Sequence, residues 1–558
     1  MKLKNIYYLL ILTALIVAGD GCKKFVDVSN PDTLTDPSFW KNENSVRAYN
    51  WEFYNLFNGF GNGTSTSGDF YFSAFSDDQC SATFTQFPQT TASSDGSWSF
   101  GYIRKANIML ERIDQVAMPD EAKNHWKGIA HFFRALQYYR LVQRFGAVPW
   151  LSHSLDISDS AEIYKPRDSR QLVMDSVLAD LNFAVANIRQ SDLTNAVNKD
   201  VALALKARIC LYEGTYRKYH TELSLPDADK FLQEAKDAAA AIMDESYSLN
   251  PNYLAAYNSD DLLKDKNEIL LYKRYDAGLL MHSTIAYMYS STVLNGLTKS
   301  AVDNYLCSDG KPISVSAAYQ GDDGIANVMA NRDKRLWYSI DSTELYYKGH
   351  VINTFTSSTG YRPTKFLKDS TTLKTIPTGI NTNVTDAPLF WLAEIYLIYA
   401  ESAAELDDMG KYTMTQEDLD NTINKLRARG GVAPMILAGH QDPGYTDLNK
   451  DPDVPSLIWE IRRERRTELM MDGFRFDDLM RWKKGTYMDS NLNPDSFLGA
   501  KVPDNGSVRR NAAGYIQPYT TAQQRVFTDP KNYLSAIPTS QILLYPSAIQ
   551  ASMQNPGW

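Results

Sequence analysis

The chain has 558 residues, 44% of them hydrophobic and 12% aromatic, enough for a large buried core. Its formal net charge of −9 argues against a nucleic-acid backbone as the main partner, because phosphates are held by excess positive charge. Tyrosine is the commonest aromatic, 34 against 23 Phe and 10 Trp, and its ring with a polar tip suits half-wet binding surfaces as well as packing.

The first residues read as an export signal. Lys2 and Lys4 precede an apolar stretch over 6–19, broken only by Tyr7, Tyr8 and Thr13, and Gly21 stands before Cys22. Small residues before a cysteine are what lipoprotein signal peptidase requires, since that thiol receives the diacylglycerol. Residues 1–21 are expected to be a signal peptide, with Cys22 lipidated as the first mature residue. An ordinary signal peptide with a chance cysteine is the alternative, and Gly19 departs from the leucine usual three positions before the cysteine. The stretch is shorter than the ~20 residues that span a bilayer, and no later segment reaches that length, so anchoring rather than spanning is expected.

Beyond the cysteine, helical periodicity dominates the chain. Thr35, Asp36 and Pro37 offer a cap and a first-turn proline for a helix to about residue 56. Residues 98–116 form a second helical run. Residues 127–144 are apolar over more than one stripe, the pattern of a helix buried on several sides. Residues 168–188 supply its partner. Three further pairs are expected: 201–216 with 230–243, 392–406 with 416–429, and 456–471 with 474–482. Alanines at 202, 204, 207, 393, 400, 403 and 404 let helix axes approach, and the pairs look like degenerate tetratricopeptide repeats.

The expected scaffold therefore covers about 22–58, 98–243 and 389–484. It is interrupted by irregular regions at about 59–97 and 244–388 and followed by an irregular tail over 485–558. The tail's prolines interrupt any long helix.

Familiar catalytic and metal motifs are absent from the sequence. Glu394 and Glu401 share a helix face, where paired carboxylates could serve acid–base chemistry. With arginines available elsewhere, structural ion pairing is the better reading. Arg462, Arg463, Arg465 and Arg466 interleave with Glu460, Glu464 and Glu468, which reads as salt-bridge lacing along a helix. His125 and His131 lie six apart and miss the spacing of a helical zinc pair. Cys80, Cys210 and Cys307 form no C-x-x-C pair; one disulfide is possible but unassigned, and Cys210 reads as a buried thiol. Neither metal nor cofactor is expected.

Binding residues concentrate in loops carried on a rigid scaffold. The region 60–100 is rich in aromatic rings, with Asp77, Asp78, Gln79 and Gln86 among them. Sugar rings present flat C–H faces that stack on aromatics and hydroxyl edges that need polar partners. Phe70, Tyr71, Asp77, Asp78, Phe84 and Phe87 are the candidates here; Tyr275, His282, Tyr287 and Tyr289 form a second group. Packing of these rings onto the scaffold is the competing explanation.

Several ordered motifs then carry a resemblance. They include Phe25-Val26-Asp27, Tyr102-Ile103-Arg104-Lys105-Ala106-Asn107, and Phe133-Arg134-Ala135-Leu136 followed by Phe145-Gly146-Ala147-Val148-Pro149. Asn331-Arg332-Asp333-Lys334-Arg335, Leu392-Ala393-Glu394-Ile395-Tyr396, Gly473-Phe474-Arg475-Phe476-Asp477-Asp478-Leu479 and the terminal Asn555-Pro556-Gly557-Trp558 continue the series. From end to end the chain resembles the SusD/RagB family of Bacteroidetes lipoproteins. Trp391, Ile129 and Gly19 depart from its usual residues, and Lys23 and Lys24 follow the cysteine where an acidic start is often linked to surface export.

The resemblance implies one mainly α domain, with tetratricopeptide-like helix pairs forming a scaffold and an irregular inserted ligand-binding region. It implies an outer-membrane, lipid-anchored, non-catalytic protein facing the cell surface. Such a protein binds oligosaccharides and delivers them to a SusC-like TonB-dependent transporter. A peptide-binding RagB-like protein with the same transporter is the alternative. A lipoprotein glycosidase would need two carboxyl groups facing across a cleft.

Overall fold

The computed structural model describes residues 39–72, 75–262, 268–288, 294–342, 357–367, 379–437, 442, 453–504 and 508–558. The signal segment, Cys22, the proposed cap at 35–37 and Tyr289 lie outside them. Among the described residues no helix is long and apolar enough to cross a membrane.

The first helix described in full, α1 (Glu43–Asn50), is capped by Asn42, whose side chain accepts from Ser45 N, and tightens into a 3-10 turn over Trp51–Leu56. α2 (Gly101–Ile113) packs against α3 (Asp120–Phe145), which runs for 26 residues. The multi-sided apolar pattern of α3 has its expected consequence: Phe132, Phe133, Leu136, Tyr138, Leu141 and Val142 are all buried. Asp120 and Glu121 favour its positive N-terminus, and Gly146, at φ 72, releases the chain at its end.

α4 (Arg170–Asn187) starts on the Ser169 cap and packs along α3; α5 (Lys199–Tyr219) starts on the Asn198 cap and packs along α6 (Ala228–Met243). Ala202, Ala204, Ala207, Ala235 and Ala239 are fully buried, as close helix packing requires. α7 (Leu392–Asp408) lies chiefly on α6 and on α10 (Ser456–Glu468). The expected partner at 416–429 is instead two short helices, α8 (Gln416–Asp420) and α9 (Ile423–Gly430), split after a Thr415–Asp418 capping box. α11 (Arg475–Arg481) leans on α5 rather than pairing with α10.

Two small antiparallel ribbons tie the irregular regions to this scaffold. β1 (Gln79–Ser81) pairs with β3 (Asn295–Leu297), Cys80 opposite Gly296. β2 (Ile269–Lys273) pairs with β4 (Ala387–Trp391), which leads directly into α7. Cys80, Cys210 and Cys307 are free and buried.

The charged lacing of α10 runs between elements more than along the helix. Arg463–Glu460, at 3.3 Å, is an on-helix pair. Arg465 instead reaches Asp478, Arg466 reaches Asp78, and Arg462 reaches Glu405. α10 is buried nearly all round, so its charges find neighbours instead of water. Glu394 pairs with Arg208 at 2.6 Å and Glu401 with Arg481 at 2.6 Å, the structural role expected of both. Burial pushes the Glu401 carboxyl up, but the Arg481 guanidinium outweighs it and holds the group down at about 2.

Candidate ligand-binding surface

The two aromatic segments singled out in the sequence meet in space. Gly63 N donates to Met281 O (2.7 Å), Ser283 Oγ to Gly63 O (2.6 Å) and Tyr275 Oη to Gly61 O (2.6 Å). His282 stacks on Phe60 with centroids 4.9 Å apart, and its Nε2 meets Thr385 O at 3.1 Å. Burial pushes the His282 imidazole down to about 3, so it is neutral at physiological pH.

Most of the proposed contact residues form the underside of this junction. Phe70, Tyr71, Phe87, Tyr275 and His282 are each at most 3% exposed. Their ring faces are taken up by protein neighbours, such as Phe366 and Trp391 around Phe70. Tyr71 stands at φ 65, and its backbone is gripped from two sides. Its N–H donates to Met471 O, and its carbonyl accepts from Gln79 Nε2 (2.9 Å) and Asn295 Nδ2 (3.2 Å). Asp77 and Asp78 are also buried. Asp77 binds Arg475 at 2.7 Å and Arg466 at 3.1 Å; Asp78 binds Arg466 at 2.7 Å. Burial raises the Asp77 carboxyl, but the two guanidinium groups outweigh it and hold it below its ordinary value. Asp78 is held above its ordinary value by burial, despite Arg466. These carboxylates clamp the loop to α10 and α11, whereas the sequence pattern suggested that they face a ligand.

Half-exposed rings remain above the junction. Phe72 and Tyr287 meet edge to face at 5.7 Å, and Tyr287 Oη donates to Thr64 O (2.9 Å). Farther along, past Ala82 N donating to Leu294 O, Phe84 packs on Tyr519 at 5.2 Å and on Phe497 at 6.1 Å. Ser81, Leu294 and Ser358 are half-buried between these two pairs, and Ala82 and Thr83 are exposed. The result is a shallow arc running from Tyr287 and Phe72 across the β1–β3 ribbon to Phe84.

Gly296 makes the ribbon thin enough. A Cβ there would lie 2.3 Å from Thr359 Oγ1 and 2.4 Å from Ser357 Oγ, so only glycine lets the 357–361 segment close on β3. Tyr519 was not anticipated. It sits in the tail read as irregular, and its contact with Ser81 spans 438 residues, a separation with no local signal.

A cavity of about 920 Å³ adjoins the arc at Phe72 and is also bordered by Phe75, Phe87, Phe476 and Trp558. A cleft of about 400 Å³ lies elsewhere, lined among others by Trp459, Trp482, Tyr487, Lys299, Tyr319 and Tyr515. Its basic groups are drawn into ion pairs, among them Lys299 with Asp303 and Asp495.

Residues 267–558 match a family described as the SusD family, and residues 25–211 match one described as starch-binding associating with outer membrane. A SusD-like protein of Formosa agariphila is 22% identical over 528 residues, covering 88% of this chain and 94% of its own. A SusD-like carbohydrate binding protein from Bacteroides fragilis is 20% identical, with a TM-score of 0.70 over 91% of this chain and 99% of that one. A second SusD-like protein from the same species reaches 0.67 at 22% identity, over 94% and 99%. A laminarin-binding SusD-like protein reaches 0.55 at 19% identity, over 93% and 100%.

Proposed function

Because the chain belongs to the SusD/RagB family of outer-membrane nutrient-binding proteins, we propose that it binds oligosaccharides on the Tyr287–Phe72–Phe84 arc and delivers them to a SusC-like TonB-dependent transporter. Members of the family are non-catalytic, associate with the outer membrane and work with such a transporter.

The observation that carries the reading is the half-exposed rings at the two ends of the arc, Phe72 and Tyr287 at one and Phe84 at the other, with polar groups between them. Phe72 with Tyr287, and Phe84 backed by the buried Tyr519, offer apolar platforms, while Ser81 and Ser358 lie between. Flat rings and hydroxyl partners suit a ligand with apolar faces and hydroxyl edges. Phe70, Tyr71, Asp77, Asp78, Phe87, Tyr275 and His282 serve it from beneath by fixing the loops. The open shape suits a protein that must release its cargo: a Kd between μM and mM corresponds to about −8 to −4 kcal/mol.

An array of glycans and peptides, probed with the chain lacking residues 1–22, tests the reading. Binding to neutral glycans that falls when Phe84 or Tyr287 is replaced is the expected result. Binding to peptides alone would replace it with the peptide-binding alternative.

Anchoring through Cys22 belongs to the same proposal. It rests on the apolar stretch ending in Gly21-Cys22, and mass spectrometry of the membrane-extracted protein should find a diacylated Cys22 at the N-terminus. An unmodified cysteine would remove the anchor.

A further inference from the structure

The 920 Å³ cavity is not used by the arc, yet Phe72 belongs to both. Its floor is the polar strip in the C-terminal half of α3. That helix is buried along most of its length, but Arg140 and Gln143 are half-buried and Arg144 is exposed, and all three border the cavity together with Gln137. Spacings of three and four residues put these side chains on one face. A helix face of this kind, covered by a loop and a chain terminus but not filled by them, leaves room for a guest.

The polar groups of the floor are oriented but not exhausted. Gln137 Nε2 donates to Ser99 O (2.9 Å), which leaves its carbonyl oxygen directed elsewhere. Gln143 Nε2 donates to Tyr139 Oη (2.7 Å) and to one oxygen of Asp477 (3.1 Å). Among the described residues the other Asp477 oxygen has no donor in hydrogen-bond range. Arg144 is neutralised by Asp95 at 2.7 Å, and Arg140 Nη1 donates to Leu56 O (2.5 Å), which leaves the rest of its guanidinium as hydrogen-bond donors at the floor.

The walls are aromatic. Phe75 and Phe476 lie 5.8 Å apart and both are half-exposed. Trp558 closes the far side, its indole fixed by Nε1 donating to Leu534 O (3.0 Å) and Lys531 O (3.1 Å). Oriented acceptors and amides below, with rings around, are the features of a ligand site, and the volume falls in the range of ~300–1,000 Å³ such sites occupy.

We propose that this cavity is a second saccharide-binding site, entered past Phe72, which holds the distal rings of a neutral oligosaccharide whose first rings lie on the arc. The inference rests on the arc being a saccharide surface, and it makes the protein selective for chain length: short saccharides use the arc alone, longer ones use both.

Hydrogen–deuterium exchange on the chain lacking residues 1–22 tests it, with di- and hexasaccharides of the malto, laminari, cello and xylo series as probes. The disaccharide that binds should protect segments 64–72, 81–85 and 281–287 only. The matching hexasaccharide should protect these and also segments 88–99 and 532–538. Protection of the arc alone by the hexasaccharide overturns the second site and leaves the arc intact. No protection by any of the eight probes overturns the neutral-glycan reading and this inference with it.

Ser97→Trp supplies a check that does not disturb the core, because Ser97 is exposed at the cavity's edge. The bulky ring should lower hexasaccharide affinity about tenfold, equivalent to about 1.4 kcal/mol, and leave disaccharide affinity unchanged. Equal hexasaccharide affinity in the variant and the parent chain overturns the proposal.

Discussion

The scaffold beneath the arc and the arc itself are held by different forces. Around α10, guanidinium groups are enclosed by carboxylates. Arg335, 1% exposed, binds Asp333 at 2.6 Å, Glu464 at 2.6 Å and Glu468 at 2.8 Å, while Arg427 shares Glu464 and Arg429 shares Glu468. The arc itself is shaped by backbone hydrogen bonds and by rings on rings, with ion pairs only beneath it, where Asp77 and Asp78 fasten its loop to α10 and α11. Removing one member of a buried ion-pair network strands its partners in a medium that solvates charge poorly. Removing a half-exposed ring mainly loses contact area. Stability should therefore reside in the charged scaffold and ligand affinity in the rings, and substitutions can separate the two.

The sharpest separation comes from Arg335→Met. Three carboxylates lose a shared cation, and a loss of about 3–5 kcal/mol is expected, enough to abolish soluble expression or shift the denaturation midpoint far to low denaturant. A variant as stable as the parent chain would show that the network is dispensable.

Gly296→Ala probes the seam between the two regions. The added methyl meets Thr359 and Ser357 at less than 3 Å and must push their segment off the ribbon. Overpacking of this kind costs about 1–3 kcal/mol. Exchange protection of residues 79–81 should fall while that of α5 and α6 persists; a uniform loss over the whole chain would mean that ribbon and scaffold unfold as one unit.

Phe84→Ala and Tyr287→Ala should show the opposite profile. Each is half-exposed, so each should weaken glycan binding about five- to tenfold, about 1–1.4 kcal/mol, with little change in thermal midpoint. Tyr71→Ala is the control. Its ring is 2% exposed, so the variant should lose stability instead. Calorimetry beside thermal melts distinguishes the cases.

The smallest effect concerns pH. Burial, and then the neighbouring Asp478, push the Asp477 carboxyl up to about 7 from 3.8. Between these values the folded chain keeps a proton that the unfolded chain has lost, so this group subtracts stability as pH rises from about 4 to about 7. Asp477→Asn carries no such penalty. Its thermal midpoint relative to the parent chain should therefore rise between pH 4 and pH 8, and a constant difference across that range would remove Asp477 from the account.

By itself the sequence determined most of the scaffold helices and their order, but not the break of 416–429 into α8 and α9. Their signals are local: the apolar stripes of α3 and the alanines of α5 act within a few turns. It also determined that Glu394 and Glu401 belong to ion pairs, because carboxylates among alanine, leucine and tyrosine on a buried helix need cations.

Only the tertiary structure decided where the charges of α10 go and which rings of the loop face outward. Phe84 and Phe87 are three residues apart and chemically identical, yet one is half-exposed on the arc and the other is 3% exposed against Phe75 and Phe527. In a helix, burial follows a period that can be read from spacing. In an irregular loop it follows from contacts brought from far along the chain, such as Arg466 and Arg475 for Asp77 or Tyr519 for Phe84, and these leave no mark on the neighbouring residues.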